Sequence, residues 1–285
     1  MINILVTGSN GQLGSELKET STAYPDYKFY FTNRKELDIC DHTLVEDYIR
    51  DNNISIIINC AAHTAVDKAE EQYELSNKLN HLAVKNFARI AKSLNIKLVH
   101  VSTDYVFDGK SYKPYKEEDT TNPQGVYGKT KLDGEIALQE INPSNSIIIR
   151  TSWVYSSYGN NFVKTMLRLA NDKDQLGVIA DQLGTPTYAR DLADAILKII
   201  PKLNNDNVGV YHFSNIGACS WYDFAKAIFD IKNRDIKINA LETWEYPTAA
   251  KRPFYSVLNK KKIKNQFQIE IPYWRDSLKE CLQKL

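Results

Sequence analysis

No stretch of the 285-residue chain is apolar over the length of a membrane span, and neither charge sign is in excess: 36 Lys and Arg stand against 35 Asp and Glu, a net charge of +1. The first absence excludes a transmembrane helix. The polar, glycine-rich residues that follow the N-terminal apolar stretch at once are also unlike a signal peptide. The second absence removes the electrostatic case for nucleic acid or an anionic membrane as partner, so the expected ligand is small. Cysteine is scarce: Cys40, Cys60, Cys219 and Cys281 lie far apart, with neither pairing nor metal-ligand spacing. Reduced thiols in a cytoplasmic protein are expected from that pattern. Internal repeats and low-complexity stretches are missing as well, and the short basic run Asn259 to Lys262 reads as the solvated start of a helix.

What is present begins at the N-terminus. Asn3-Ile4-Leu5-Val6 is short and apolar on both faces, as in a central strand of a parallel sheet, and a helix is expected from Gln12 to Leu17. Between them Gly8 permits a tight turn, Gly11 lets the backbone approach a pyrophosphate, and Gly14 lets helix and strand pack closely. The spacing is Gly-x-x-Gly-x-x-Gly, one residue longer than the dinucleotide fingerprint Gly-x-Gly-x-x-Gly. Further strands are expected at Lys28–Thr32, Ser55–Asn59, Lys97–Thr103 and Ser146–Arg150, separated by segments of helical periodicity. The longest such segment, about Glu71 to Leu94, sets Leu75, Leu79, Leu82, Val84, Phe87 and Ile90 on and around one apolar stripe.

This alternation predicts an α/β fold, a Rossmann-type doubly wound parallel sheet, over residues 1–152. Residues 153–285 read as a smaller substrate-binding lobe with partial returns to the main sheet, its strand candidates being Val178–Ala180, Gly209–Ser214 and Ile236–Ile238. Polar residues collect at the strand C-terminal ends, among them Thr7, Asn59, Ser102-Thr103-Asp104 and Thr151-Ser152. Folds of this kind bind ligands along that edge.

A tyrosine and a lysine four residues apart share one helix face, where an ammonium beside a phenol favours the phenolate and so tunes a proton donor. Four pairs have the spacing: Tyr24/Lys28, Tyr112/Lys116, Tyr127/Lys131 and Tyr222/Lys226. Pro25 and Pro114 sit inside the first two and argue against mid-helix positions. No strand ending in a hydroxyl residue lies near Tyr222, which reads as ordinary packing. Tyr127/Lys131 follows by one loop the strand that ends at Thr103, whose hydroxyl could polarise a carbonyl beside the tyrosine.

These residues resemble the extended short-chain dehydrogenase/reductases. Finer stretches resemble one family among them, the dTDP-4-dehydrorhamnose reductases, along nearly the whole length: Asn59-Cys-Ala-Ala-His63-Thr64, Ser102-Thr103-Asp104-Tyr105-Val-Phe-Asp-Gly109, Arg150-Thr-Ser-Trp153, Gly159-Asn-Asn-Phe162, Asp181-Gln-Leu-Gly-Thr-Pro-Thr187 and Arg252-Pro-Phe-Tyr-Ser-Val-Leu-Asn259. The resemblance implies an NADPH-dependent oxidoreductase that reduces the C4 ketone of dTDP-4-dehydro-L-rhamnose to dTDP-L-rhamnose, the last step of a pathway to bacterial surface polysaccharide. It implies Gly8, Gly11, Gln12, Leu13 and Gly14 around the pyrophosphate, Asp38 and Ile39 beside the adenine, and Ala62, His63 and Thr64 on the nicotinamide side. It further implies Tyr127 as proton donor, Lys131 on the nicotinamide ribose, Thr103 polarising the ketone, and Thr103, Asp104 and Trp153 on the sugar.

Rival readings stay open. A 4,6-dehydratase or epimerase shares the tyrosine and lysine, but dehydratases place Asp-Glu after the threonine, and here Asp104 is followed by Tyr105. A non-catalytic NADP-binding regulatory subunit, or a reductase of another nucleotide 6-deoxy-4-keto sugar, shares more. The second strand ends Thr32-Asn33-Arg34, offering a guanidinium where a carboxylate would repel a 2′-phosphate, so NADPH is expected in preference to NADH. The resemblance also implies, for some members, a magnesium-dependent dimer built on glutamates. Glu16 matches one such position, but Arg190 and the C-terminal Leu282-Gln-Lys-Leu285 supply no carboxylate side chain, so magnesium is doubtful and a homodimer on other faces stays open.

Overall fold

A computed structural model describes all residues, Met1 to Leu285. Its centre is a six-stranded, all-parallel sheet. The strands β1 (Ile2–Thr7), β2 (Tyr27–Thr32), β3 (Ile56–Asn59), β4 (Lys97–Thr103) and β5 (Ser146–Thr151) alternate with helices α1 (Gln12–Thr20), α2 (His42–Asp51), α3 (Val66–Ala69), α4 (Tyr73–Asn77), α5 (Ala83–Leu94) and α6 (Val126–Ile141). Short strands β6 (Val154–Tyr155), β7 (Gln175–Ile179), β8 (Leu183–Gly184) and β9 (Thr187–Tyr188) follow, with α7 (Phe162–Asp172) among them. Then come α8 (Ala189–Ile199), β10 (Gly209–His212), β11 (Cys219–Ser220), α9 (Trp221–Ile231), β12 (Lys237–Leu241), α10 (Lys261–Phe267) and α11 (Trp274–Gln283).

The sheet order is β10-β5-β4-β3-β1-β2. Because the chain leaves β1 toward β2 on one side and returns to β3 on the other, the crevice above β1 and β3 is the switch point where doubly wound sheets take ligands. Strand alternation explains the two layers. Ile4, Val6, Ile56, Ile58, Val99, Ile147 and Ile149 face Leu13 and Leu17 of α1, Leu192, Ile196 and Ile199 of α8, and Ile263 and Phe267 of α10. Their neighbours Leu5, Ile57, Leu98 and Ile148 face Val45 and Ile49 of α2, Val84, Phe87 and Ile90 of α5, and Leu138 of α6. Each such side chain removed from water is worth roughly 1.5–3 kcal/mol, which is why strands with no polar alternation settle in the centre.

A third core gathers Tyr155, Met166, Val178, Tyr188, Phe224, Ile228, Trp274 and Leu278 in a smaller lobe built beyond residue 152. Not all of the later chain belongs to that lobe: β10 pairs with β5, and α8 and α10 pack on the main sheet.

One expected element differs. The helix anticipated from Glu71 to Leu94 is α4, a single π turn at Lys78–Leu82, then α5. The widened turn changes the helical phase, so Leu75 and Leu82 are left 37% and 40% exposed while Val84, Phe87 and Ile90 are buried as expected. Ser76 and Asn80 take the inward positions instead. No helix of the protein is long and apolar enough to cross a membrane.

Candidate active site

A cavity of about 1050 Å³ opens above the C-terminal ends of β1, β3 and β4. It is lined by Gly8, Gly11, Gln12, Leu13, Gly14, Arg34, Asp38, Ile39, Ala62, Thr64, Thr103, Asp104, Tyr127, Lys131 and Trp153. Of the residues singled out from sequence, His63 alone is missing from that wall. Its ring nitrogen Nδ1 pairs with Ser76 of α4 at 2.8 Å, while its backbone N–H donates to Asn80 Oδ1 of the π turn at 2.8 Å. Sequence adjacency to Ala62 and Thr64 could not show that the middle residue of this loop turns its side chain the other way.

The glycine turn is built without room for side chains. Gly8 has φ +67°, and a Cβ there would sit 2.8 Å from the Ala61 nitrogen, on the β3 side of the crevice. A Cβ on Gly14 would sit 2.5 Å from the Gly8 carbonyl oxygen and 2.6 Å from Ser9 Cα. Gly11 is the N-cap of α1, and no side chain caps that helix. The first N–H groups of α1 and its positive dipole end are thus left for an anion, and this donor set fits the pyrophosphate of a dinucleotide. Gln12 also reaches across the cavity floor, donating to the Val154 carbonyl at 3.3 Å and accepting from Asn161 Nδ2 at 2.9 Å.

At the other end α6 presents Tyr127 and Lys131 one turn apart, both buried. The Lys131 ammonium donates to the Val101 carbonyl at 2.7 Å and lies 3.4 Å from His100 Nε2. The tyrosine does not behave as expected from the spacing alone. Burial pushes the Tyr127 phenol up from its ordinary value; the neighbouring Thr103 hydroxyl opposes this, and Asp104 and Tyr105 add to it. The same burial lowers Lys131 to about 8, against opposing pulls from Glu135 and Cys60. Desolvation of a buried phenolate outweighs an ammonium whose nearest acceptor is a backbone carbonyl on another element. Where spacing alone suggested a depressed tyrosine, burial shifts the Tyr127 phenol upward and the Lys131 ammonium downward.

Thr103 is also more committed than anticipated. Its hydroxyl donates to Asp104 Oδ1 at 3.0 Å and accepts from the Tyr105 N–H at 3.3 Å. Asp104 is 3% exposed, and burial raises its carboxyl to about 7 despite the hydrogen bond from Thr103. Its Oδ2 has no partner. Trp153 holds a left-handed backbone, φ +48°, and stacks on Trp221 with ring centroids 3.6 Å apart, which ties the cavity wall to the smaller lobe. At the far end Arg34 is exposed at the mouth.

Several contributors were missed. Tyr105 packs edge-on against Tyr127 at 5.4 Å and accepts from Arg252 at 3.3 Å; Arg252 in turn pairs with Asp67 at 2.5 Å. Glu135, fully buried, is matched by Arg150 at 2.7 Å, which keeps a bare carboxylate away from the lysine one turn before it. Tyr222/Lys226 lies on α9, with Lys226 exposed and 3.6 Å from Asp230, away from the cavity. At the position considered for magnesium, Glu16 accepts from Ser156 at 2.5 Å. Glu19 is held by Lys284 and Arg190, each at 2.7 Å, and these bonds pull its carboxyl down to about 2. No group of three or more His, Cys, Asp or Glu side chains is placed to hold a metal ion.

Residues 2–285 match the family model described as the RmlD substrate binding domain. A dTDP-4-dehydrorhamnose reductase of Sinorhizobium fredii is 42% identical over 292 residues, covering 100% of this chain and 98% of that protein. Among solved structures, a dTDP-4-dehydrorhamnose reductase of Clostridium acetobutylicum superposes with a TM-score of 0.94 at 43% identity, covering 99% of each chain. A dTDP-4-dehydrorhamnose reductase of Bacillus anthracis in complex with NADP gives a TM-score of 0.94 at 38% identity and covers 100% of both chains.

Proposed function

The chain belongs to the RmlD substrate-binding family of dTDP-4-dehydrorhamnose reductases, and on that premise we propose that it reduces the C4 ketone of dTDP-4-dehydro-L-rhamnose to dTDP-L-rhamnose with NADPH. The observation that carries this reading is the single cavity running from the uncapped end of α1, past Arg34 and Asp38, to Tyr127, Lys131, Thr103 and Asp104. NADPH, when bound, supplies the hydride. The N–H groups of Gln12, Leu13 and Gly14 hold the pyrophosphate, Asp38 and Ile39 flank the adenine, and Arg34 meets the 2′-phosphate at the mouth. Ala62 and Thr64 line the nicotinamide side, and Lys131 holds the ribose hydroxyls.

Tyr127 gives its hydroxyl proton to the C4 oxygen as negative charge develops there, and its elevated proton affinity keeps that donor loaded. Thr103 orients the tyrosine and the ketone together. Asp104, with one free carboxyl oxygen, accepts a sugar hydroxyl, and Trp153 packs the sugar face against the smaller lobe. That lobe, drawn from residues 153–285 with partial returns to the main sheet, is the substrate side. The four free thiols, two of them buried, support a reducing cytoplasmic setting.

The regulatory-subunit reading is less favoured, because every side chain the chemistry needs lines one cavity. The test is NADPH oxidation followed by absorbance in the presence and absence of the keto sugar. Sugar-dependent oxidation by the purified chain supports the enzyme; NADPH binding with no turnover, and stoichiometric capture of a partner enzyme, would support the regulatory role.

A further inference from the structure

Thr7, Asn59 and His100 occupy one rung of the sheet, Thr7 paired with Asn59 across β1 and β3, and Asn59 with His100 across β3 and β4. All three are 1% exposed or less. Their hydrogen bonds have a fixed direction. Asn59 Oδ1 stands 3.2 Å from the Ala61 backbone nitrogen, which can only donate, and accepts from the Thr7 hydroxyl at 2.7 Å. The amide nitrogen of Asn59 is thereby turned to His100 Nδ1 at 3.1 Å. A ring nitrogen facing an amide donor must accept, so the neutral imidazole carries its proton on Nε2. Nε2 is the atom 3.4 Å from Lys131 Nζ. The lysine therefore meets an N–H there in place of a lone pair.

The other groups around the ammonium are few. Tyr127 and Glu135 come from its own helix, with Glu135 neutralised by Arg150; Cys60 comes from the end of β3; and β4 offers the Val101 carbonyl, 2.7 Å away. The rung ends at the Thr7 hydroxyl, which is fully buried, so it has no outlet to water and orients groups without conducting protons.

We propose that Asn59 fixes His100 as its Nε2–H tautomer, making His100 a positioning residue that denies Lys131 a second acceptor inside the protein and turns its remaining donors toward the cavity. There the ribose hydroxyls of NADPH are the acceptors, so cofactor binding draws the ammonium form, and the free enzyme releases that proton early. The proposal rests on the cofactor role given to Lys131 above. Replacing Asn59 with aspartate reverses the logic. Both carboxylate oxygens accept, the ring must donate from Nδ1, and Nε2 becomes an acceptor for the ammonium.

The test combines nitrogen NMR of ¹⁵N-histidine-labelled protein with NADPH titrations followed by fluorescence. In the unaltered protein His100 should show a proton-bearing Nε2 and a bare Nδ1, unchanged as the pH is raised. With Lys131 titrating at about 8, NADPH affinity should fall about tenfold between roughly pH 7 and pH 9. In Asn59→Asp the tautomer should switch and the fall over that range should shrink to about twofold or less. A proton on Nδ1 of His100 in the unaltered protein overturns the proposal without recourse to any variant. So does an undiminished fall in a folded Asn59→Asp protein whose tautomer has switched. Failure of the unaltered protein to bind NADPH at any pH would instead remove the functional reading, while leaving the tautomer result standing.

Discussion

Tyr127→Phe separates chemistry from binding and from folding. The ring is 9% exposed and packs against Tyr105, so phenylalanine fills the same space and only the hydroxyl is lost. The neighbouring Thr103 hydroxyl keeps its bonds to Asp104 and to the Tyr105 N–H and is not left unsatisfied. Stability should change by about 1 kcal/mol or less, the net worth of one neutral hydrogen bond. NADPH affinity should hold within about twofold, because Lys131 and the glycine turn are untouched. Turnover should fall by about 10²–10⁴, which is roughly 2.7–5.5 kcal/mol of transition-state stabilisation. The assay is kcat at saturating keto sugar, beside an NADPH titration and a denaturant curve on the same preparation. The pH profile adds a second check. Since burial raises the phenol, Tyr127 stays protonated through neutral and mildly alkaline pH, and the alkaline decline in kcat/KM for NADPH, which reports the free enzyme, belongs to Lys131 near 8. The residual kcat/KM of the variant should therefore decline over the same range as that of the unaltered enzyme. Near-normal turnover of a folded Tyr127→Phe protein would refute the proton-donor assignment.

Arg34 is exposed, so Arg34→Ala should lower the preference for NADPH over NADH by only about fivefold, the discounted worth of one charged hydrogen bond; an unchanged ratio of kcat/KM would show that the guanidinium is merely solvated. Gly14→Ala drives a Cβ against backbone atoms of Gly8 and Ser9 that cannot yield, so a loss of about 1–3 kcal/mol in denaturant unfolding is expected together with weakened NADPH binding, and an unperturbed midpoint would contradict the close packing of the turn. Asp104 has a folded-state pKa raised by burial from 3.8 to about 7, so the folded protein holds a proton that the unfolded chain releases. Its contribution to stability is present below 3.8 and is lost as the pH rises toward about 7. Asp104→Asn should therefore flatten the decline in stability across that window, as read from unfolding curves at several pH values, and an unaltered profile would contradict the buried carboxyl.

The sheet was legible because β1, β3, β4 and β5 are buried on both faces and so appear as mainly apolar runs, each ending in polar residues at the ligand edge. The glycine turn was legible for a related reason, since three glycines after a strand mark a place where backbone alone fits. The π turn at Lys78–Leu82 was not, because an apolar stripe at ordinary helical spacing gives no warning that one turn is widened and the phase moved. The turn of the His63 ring toward Ser76 was not legible, because sequence neighbours in an irregular segment share no fixed direction. The upward shift at Tyr127 was not legible because spacing reports proximity on a helix face but not the desolvation that burial brings, to which the charges of Asp104 and Tyr105 add from another element. His100 and Asn59 did carry a signal. Each is a polar residue in an otherwise apolar strand, and the parallel register sets them side by side.

The central claim is hydride delivery to the C4 ketone in the cavity that holds Tyr127 and Lys131. Its most direct test supplies dTDP-4-dehydro-L-rhamnose and NADPH deuterated at the nicotinamide C4 position, and locates the label in the product by NMR. Deuterium at sugar C4 of dTDP-L-rhamnose, formed by the unaltered protein and lost with Tyr127→Phe, is the result expected. NADPH bound but unoxidised, or label found anywhere other than C4, would contradict it.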